Sequence, residues 1–168
     1  HNKGKELDRY DAGTQTGQLT DQWIEDRAAM LAHVMQANTQ DTEGPLNIPG
    51  ATGMHYEDAA SGKKIDIGLP DNVVEKRQTI FGDDKSNVLT GKKLQDHLYG
   101  GSGADTLEGK DGADYLEGGA DADTYVLQTG LTGIDTLVDS GANTLQVGGK
   151  TVSGAFAQVA GMGGDIYY

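Results

Sequence analysis

Residues 82–126 read GDDKSNVLT, GKKLQDHLY, GGSGADTLE, GKDGADYLE and GGADADTYV, five nonapeptides in unbroken phase. Glycine returns at Gly82, Gly91, Gly100, Gly109 and Gly118. An amide or carboxylate returns at Asn87, Asp96, Asp105, Asp114 and Asp123, and a large apolar residue at Leu89, Leu98, Leu107, Leu116 and Tyr125. A Gly- and Asp-rich tract of low hydrophobicity would ordinarily read as a disordered linker. The phased leucines argue otherwise, because they give every repeat one position to bury, which is the mark of a stacked array.

The rest of the composition agrees with such an array. Gly, at 26 of 168 residues, is about twice its usual share of about 7%, without the Gly-x-y period of collagen. The hydrophobic fraction of 36% and aromatic fraction of 6% are low for an enzyme with a deep pocket. The net charge of −13 argues against nucleic acid or anionic membranes as partners and makes cations the natural counterpart. Of the 26 acids, 19 are Asp, a skew toward short carboxylates beside tight turns. From Asp96 onward eleven acids face only Lys110 and Lys150, so this part needs bound counter-charge to stay compact. Cysteine is absent, which excludes disulfides and thiolate metal sites. No apolar run is long enough to span a bilayer, so no transmembrane segment is expected, and no signal peptide opens the chain. The start at His1 rather than Met suggests a piece of something longer.

Upstream, residues 1–19 are polar and aperiodic and read as an arm or linker. Thr20 caps an expected helix through DQWIEDRAAMLAHVMQAN, with Ile24, Ala28, Leu31 and Met35 as its buried stripe, flanked by Trp23 and Val34. Residues 41–54 hold Gly44-Pro45 and Pro49-Gly50 and read as a connection. MHYEDAASGKKIDIG predicts a hairpin turning near Ser61-Gly62, and NVVEKRQTIF another strand or two.

The repeats resemble the G-G-x-G-x-D-x-U-x nonapeptide of RTX proteins, whose parallel β-roll binds Ca²⁺. The match covers about a quarter of the chain. LQTGLTGIDTLVDSGANTLQV is similar to the strand-rich cap that ends such repeats in type I secreted bacterial proteins. The resemblance implies a mainly β fold: a short roll of about 2.5 coils, with a helix-plus-hairpin segment before it and a β-rich cap after it. The expected divisions are 1–19, 20–80, 81–126 and 127–168. In each nonapeptide six residues turn and three form a strand, so two copies complete a coil. Leu89, Leu107 and Tyr125 then share one sheet and Leu98 and Leu116 the other, an interior of five side chains.

Glycine at the first, second and fourth positions lets carbonyl oxygens converge, and Asp at the sixth adds a carboxylate. Such hard oxygen donors in a flexible cage select Ca²⁺ over softer metals and over Mg²⁺. Carried over residue by residue, the resemblance implies ligands among Gly82, Asp84 and Asn87; Gly91, Lys93 and Asp96; Gly100, Ser102, Gly103 and Asp105; Gly109, Asp111, Gly112 and Asp114; Gly118, Ala120 and Asp123; and Asp135. The turns Gly100–Asp105 and Gly118–Asp123 form one edge pair, Gly91–Asp96 and Gly109–Asp114 another, and Gly82–Asn87 with Gly100–Asp105 a third. Lys92 and Lys110 replace the second glycine, Lys85, Leu94 and Asp121 the fourth, and Asn87 is neutral. Two to four ions are expected, with the Asn87 edge weakest. Asp135 and Asp139 are candidates to close the last site from the cap.

The function implied is a calcium-dependent module that folds outside the cell and supports secretion and stability of a larger type I secreted bacterial protein. Its partners would be calcium, the rest of the parent chain and the secretion apparatus. Two alternatives stay open: the C-terminal part of a secreted lipase-like hydrolase or protease that contributes to an active site, and part of an adhesin or pore-forming toxin. No catalytic motif occurs: there is no G-x-S-x-G elbow, and the Gly-Ser-Gly at 101–103 lies inside a turn. His1, His33, His55 and His97 do not cluster in sequence; His33 reads as helix surface and His97 as pointing outward from the roll. Tyr99, Tyr115, Tyr167 and Tyr168 read as outward positions, and the apolar end from Val152 to Tyr168 as a segment docked on the roll.

Overall fold

The computed structural model describes residues 9–11, 13–14, 17–40, 53–68, 75–139 and 142–152. Most of the arm, the connection 41–52 and the end beyond Val152 lie outside them.

The repeats set the architecture. Each nonapeptide ends in three extended residues whose middle one, a Leu or Tyr, faces inward, and β-structure runs on into the following turn at residues 100–102 and 118–120. The six that precede reverse the chain. Strands therefore alternate between two stacked sheets. On one lie β3 (Arg77–Phe81), β5 (His97–Ser102) and β7 (Tyr115–Ala120), and on the other β4 (Val88–Thr90), β6 (Thr106–Glu108) and β8 (Thr124–Leu127). All pairings within this set are parallel, and like residues stack: Ile80 on Leu98 on Leu116, and Leu89 on Leu107 on Tyr125. The interior is the expected five side chains, Leu98, Leu107 and Leu116 being fully buried, with Ile80, Leu127, Leu137 and Leu145 at their margins.

The solenoid is longer than two and a half coils. It runs to about four, because both flanks join it. Downstream, β9 (Thr136–Val138) pairs parallel with β7, and β10 (Thr144–Val147) parallel with β8. Here the repeat period is lost: Leu116 pairs with Leu137 and Tyr125 with Leu145. The antiparallel β11 (Lys150–Val152) folds back on β10 and ends this sheet. Upstream, β1 (Met54–Asp58) runs parallel to β3, and β2 (Lys63–Ile67) folds back on β1 through a turn at residues 59–62. That is the hairpin expected around Ser61-Gly62. Of NVVEKRQTIF, the described part supplies one strand, β3.

The helix α1 (Asp21–Gln40) starts where Thr20 Oγ1 accepts from Trp23 N at 3.1 Å. It lies on the outer face of the β1–β3–β5 sheet and creates a second core, in which Met30 meets Tyr56, Ile65, Ile67, Phe81 and Tyr99. The buried stripe differs from the expected one: Trp23, Met30, Val34 and Ala37 face the sheet, while Leu31 and Met35 are 52% and 69% exposed. Both faces of this helix carry apolar residues, so apolar spacing alone does not fix its rotation. Polar anchors do. Asp26 Oδ2 accepts from Tyr99 Oη at 2.5 Å and meets His97 Nδ1 at 2.6 Å. Arg27 pairs with Asp58 at 2.9 Å and lies 4.7 Å above the Phe81 ring, which stacks on Tyr99. His97 and Tyr99 thus point out of the roll, as expected, but into the helix. His33 is half-buried, with its ring 5.5 Å from Tyr56.

Candidate metal centre

The sixth-position side chains form two ladders, one along each edge of the roll. On one edge, Asn87 N donates to Asp105 Oδ1 (2.7 Å), Asp105 N to Asp123 Oδ1 (2.8 Å), and Asp123 N to Asn143 Oδ1 (2.8 Å). On the other, Gln78 N donates to Asp96 Oδ1 (2.6 Å), Asp96 N to Asp114 Oδ1 (2.8 Å), and Asp114 N to Asp135 Oδ1 (3.1 Å). Each carboxylate therefore caps the backbone of the coil before it, which explains why Asp96, Asp105, Asp114 and Asp123 are no more than 1% exposed. Asp135 continues the Asp96–Asp114 edge, which is the wrong edge for closing the Asp123 site.

The second carboxylate oxygen separates the five turns into two kinds. In the turn at Gly82, Asn87 Oδ1 also accepts from Asp83 N at 2.8 Å, and in the turn at Gly91, Asp96 Oδ2 accepts from Lys92 N at 2.5 Å. These turns are closed on themselves. In the turns at Gly100, Gly109 and Gly118, the buried Oδ2 atoms of Asp105, Asp114 and Asp123 have no hydrogen-bond partner. The backbone accounts for the difference. The second and fourth residues of the open turns all have positive φ: Gly101 (102°) and Gly103 (100°), Lys110 (75°) and Gly112 (131°), Gly119 (101°) and Asp121 (78°). The corresponding residues of the closed turns do not. A positive φ at the second residue goes with a preceding peptide plane turned over, which carries its N–H away from the aspartate.

At Gly100 the open oxygen also faces a carbonyl, as the side-chain oxygens of the closed turns do at Gly82 and Gly91. A β-carbon at Gly100 would collide with both Asp105 Oδ2 and Gly118 O, so the carboxylate of one turn and the first carbonyl of the next turn on that edge converge on the same glycine. A buried carboxylate oxygen without a donor is costly. A hard divalent cation with oxygen ligands removes that cost, and the residues present fit Ca²⁺. Among the described residues no three acidic or histidine side chains meet at one point, so a cation held here would take most of its ligands from backbone oxygens or water.

Several other residues implied by the resemblance have side chains that are exposed or engaged elsewhere. Asp84, Lys93 and Ser102 are exposed, Lys93 pairing with Glu75 at 3.0 Å. Asp111 Oδ1 accepts from Thr132 N at 3.2 Å, and Ala120 is half-buried.

Burial raises the carboxyls of the ladder above the ordinary range: Asp114 to about 6 and Asp123 to about 7, with neighbouring carboxylates adding to both. Asp96, Asp105 and Asp135 shift the same way for the same first cause. Glu117, buried beneath the start of α1, rises to about 7, although Thr20 Oγ1 (2.6 Å) and Tyr115 Oη (3.1 Å) donate to it.

Asp139 and Asn143 complete the picture. Tyr125 Oη, reaching through the interior, accepts from Gly118 N at 2.7 Å and donates to Asp139 Oδ2 at 2.5 Å. Two signals for this continuation stand in the sequence: Asp135-Thr136-Leu137 and Asn143-Thr144-Leu145 repeat the Asp105-Thr106-Leu107 pattern out of phase.

Parallel coils whose aspartate-lined turns leave buried oxygens open define a calcium-binding β-roll. The family model that matches is the RTX calcium-binding nonapeptide repeat, four copies, over residues 95–126, and this stretch is an RTX repeat array that binds Ca²⁺. The turn at Gly82 lies outside the match. No curated protein and no solved structure matches the chain. Among the described residues, no helix is long and apolar enough to cross a membrane.

Proposed function

We propose that this chain is the calcium-locked module of a larger secreted bacterial protein, and that its ions sit at the open turns. The observation that carries this reading is the set of three buried, partnerless oxygens, Asp105 Oδ2, Asp114 Oδ2 and Asp123 Oδ2, found in the turns closest to the repeat consensus and in neither degenerate one. Asp105, Asp114 and Asp123 supply the carboxylates, and the first residues of the stacked turns, Gly100, Gly109 and Gly118 among them, supply carbonyls. Three ions fall within the two to four suggested by the sequence. The closed turns at Asn87 and Asp96 serve as preformed backbone on which the open coils stack.

The role follows from charge. Where calcium is scarce, uncompensated carboxylates oppose the fold, and an extended chain suits export through a type I channel. Outside the cell, at about millimolar calcium, affinities of roughly 10⁻⁴ to 10⁻³ M suffice to fold the coils. Metal binding then contributes folding free energy that an interior of five side chains does not, and the parent protein gains a folded end.

A calcium titration followed by far-UV circular dichroism, with reversal by EGTA, tests this. The expected outcome is a coil-like contribution from the repeats without calcium and a gain of β signal with it. Identical spectra in EGTA and in excess calcium would overturn coupled folding.

A further inference from the structure

The turn at Gly118 belongs to the last nonapeptide, and no glycine stands in phase one coil further on; Thr136, inside β9, takes that position in the sequence. The place of the missing carbonyl is nevertheless filled. At Gly100 the atoms crowding the missing β-carbon are Asp105 Oδ2 and Gly118 O; at Gly118 they are Asp123 Oδ2, Asp139 Oδ2 and Tyr125 Oη. A carboxylate from outside the repeats thus stands where the preceding coil on this edge uses a carbonyl. Asp123 is 1% exposed and its Oδ2 has no hydrogen-bond partner, so one face of this cluster is an unsatisfied buried acceptor.

The fifth repeat differs from the others to allow it. Its interior residue is Tyr125, where every other copy has Leu. The phenol spans the interior, and its hydroxyl sits between Gly118 N at 2.7 Å and Val138 O at 3.1 Å. In the first two turns the equivalent glycine N–H goes straight to a backbone carbonyl, Gly82 N to Tyr99 O at 2.7 Å and Gly91 N to Glu108 O at 2.8 Å. The hydroxyl therefore bridges the ladder where the coil lengthens and Leu116 pairs with Leu137, and the same hydroxyl donates to Asp139.

We propose that Asp139, positioned by Tyr125, joins Asp123 to complete a terminal Ca²⁺ site that ties the last repeat to the strands after it. This deepens the reading of the open turns and rests on it. With two carboxylates in place of one carboxylate and one carbonyl, the site is the most anionic on its edge, and ligand charge is a main determinant of calcium affinity. Tyr125 is a positioning residue: it holds Asp139 and leaves the metal to the carboxylates.

The test is calcium stoichiometry and affinity of the full chain by isothermal titration and native mass spectrometry, comparing wild type with Asp139→Asn and Tyr125→Phe. Asparagine still accepts the Tyr125 hydrogen bond, so only the charge is lost. Asp139→Asn is expected to lose one ion, or to weaken one ion at least about tenfold, with the others unchanged. Tyr125→Phe is expected to weaken the same ion about tenfold while keeping its carboxylates. Unaltered counts and affinities in Asp139→Asn would overturn the proposal while leaving the other turns intact, whereas a wild type that binds no calcium would overturn the reading of the turns themselves. Terbium covers the case in which Asp139→Asn does not fold. Loaded with Tb³⁺ in place of calcium, the wild type should show tyrosine-sensitised emission that Tyr125→Leu, restoring the residue of the other coils, loses; undiminished emission from Tyr125→Leu also overturns the proposal.

Discussion

The turns at Gly82 and Gly91 and those at Gly100, Gly109 and Gly118 have the same length and the same stacking, and Asp96, Asp105, Asp114 and Asp123 each insert a carboxylate into the coil before. They differ in whether the side-chain oxygen that faces the turn is satisfied by it. The first two satisfy that oxygen themselves, and the last three leave it open. One repeat motif thus yields two kinds of turn, and the difference between them lies in φ at the second and fourth positions. This contrast makes calcium withdrawal the largest perturbation available. In EGTA, amide hydrogen exchange across β7 and β8 should accelerate by orders of magnitude, while β3, which rests on closed turns and the helix-side core, should retain more of its protection. Equal acceleration in both regions would erase the distinction.

Substitution at the sixth position probes the same contrast with a smaller effect. Asp105→Ala removes the open oxygen and the acceptor of Asn87 N, so it should cost about 2–4 kcal/mol in calcium-saturated urea unfolding and eliminate an ion. Asp96→Ala leaves Gln78 N and Lys92 N without acceptors and should cost a comparable amount, yet leave the ion count unchanged. Asp121→Ala, at an exposed residue that accepts from Gly103 N at 3.1 Å, should do far less than Asp105→Ala. Loss of an ion from Asp96→Ala would mean that closed turns bind too.

Proton binding offers a graded version. Asp114, Asp123 and Glu117 have folded-state values of about 6, 7 and 7, raised first by burial, against about 4 in the unfolded chain. Between pH 4 and 7 these three groups therefore hold more protons in the folded state. The contribution of these three groups to stability without calcium is greatest below the unfolded values and is lost as pH rises through 6 to 7. In EGTA the β signal should be larger at pH 5 than at pH 7.5. With calcium the order should reverse, because protons compete for the same oxygens.

These distinctions are partly legible in the sequence. Phase alone assigns Leu89, Leu107 and Tyr125 to one sheet and Leu98 and Leu116 to the other, because a nine-residue repeat leaves no second arrangement. The degenerate copies are visible as Lys92, Lys85 and Leu94, although Lys110 and Asp121 look just as degenerate and yet hold the open conformation. Conformation there is imposed by the coils above and below, which the residue type does not reveal. The rotation of α1 escapes a sequence reading because the helix offers two apolar stripes, and the anchors that choose between them, His97 and Tyr99, lie far along the chain from Asp26. The continuation through Leu137 and Leu145 reads as a cap because its spacing breaks the period.

The conversion of a closed turn into an open one would sharpen the comparison further. Lys92→Gly with Leu94→Gly restores the consensus at both positions whose φ distinguishes the two kinds of turn, and Asp96 already supplies the carboxylate. The double variant should bind one more calcium ion than the wild type, at a cost of about 1–2 kcal/mol without calcium from added chain freedom. An unchanged ion count would show that glycine at these positions is insufficient and that the carbonyls of neighbouring coils decide the matter.

The smallest effect is expected where the rule is already broken. Lys110 holds φ 75° in an open turn, a conformation that costs a residue with a β-carbon about 1–2 kcal/mol and glycine almost nothing. Its side chain is exposed, so replacing it removes no buried contact. Lys110→Gly relieves the strain and adds back about 0.5–1 kcal/mol of unfolded-state freedom, leaving a net gain of up to about 1 kcal/mol, visible as a rise of a few degrees in Tm. The ion count should stay the same, because the turn is open with either residue. Lys92→Gly, made alone at the equivalent position of a closed turn, relieves no strain and should lower stability slightly. Opposite signs for one substitution at two equivalent positions would separate strained open turns from relaxed closed ones without reference to calcium.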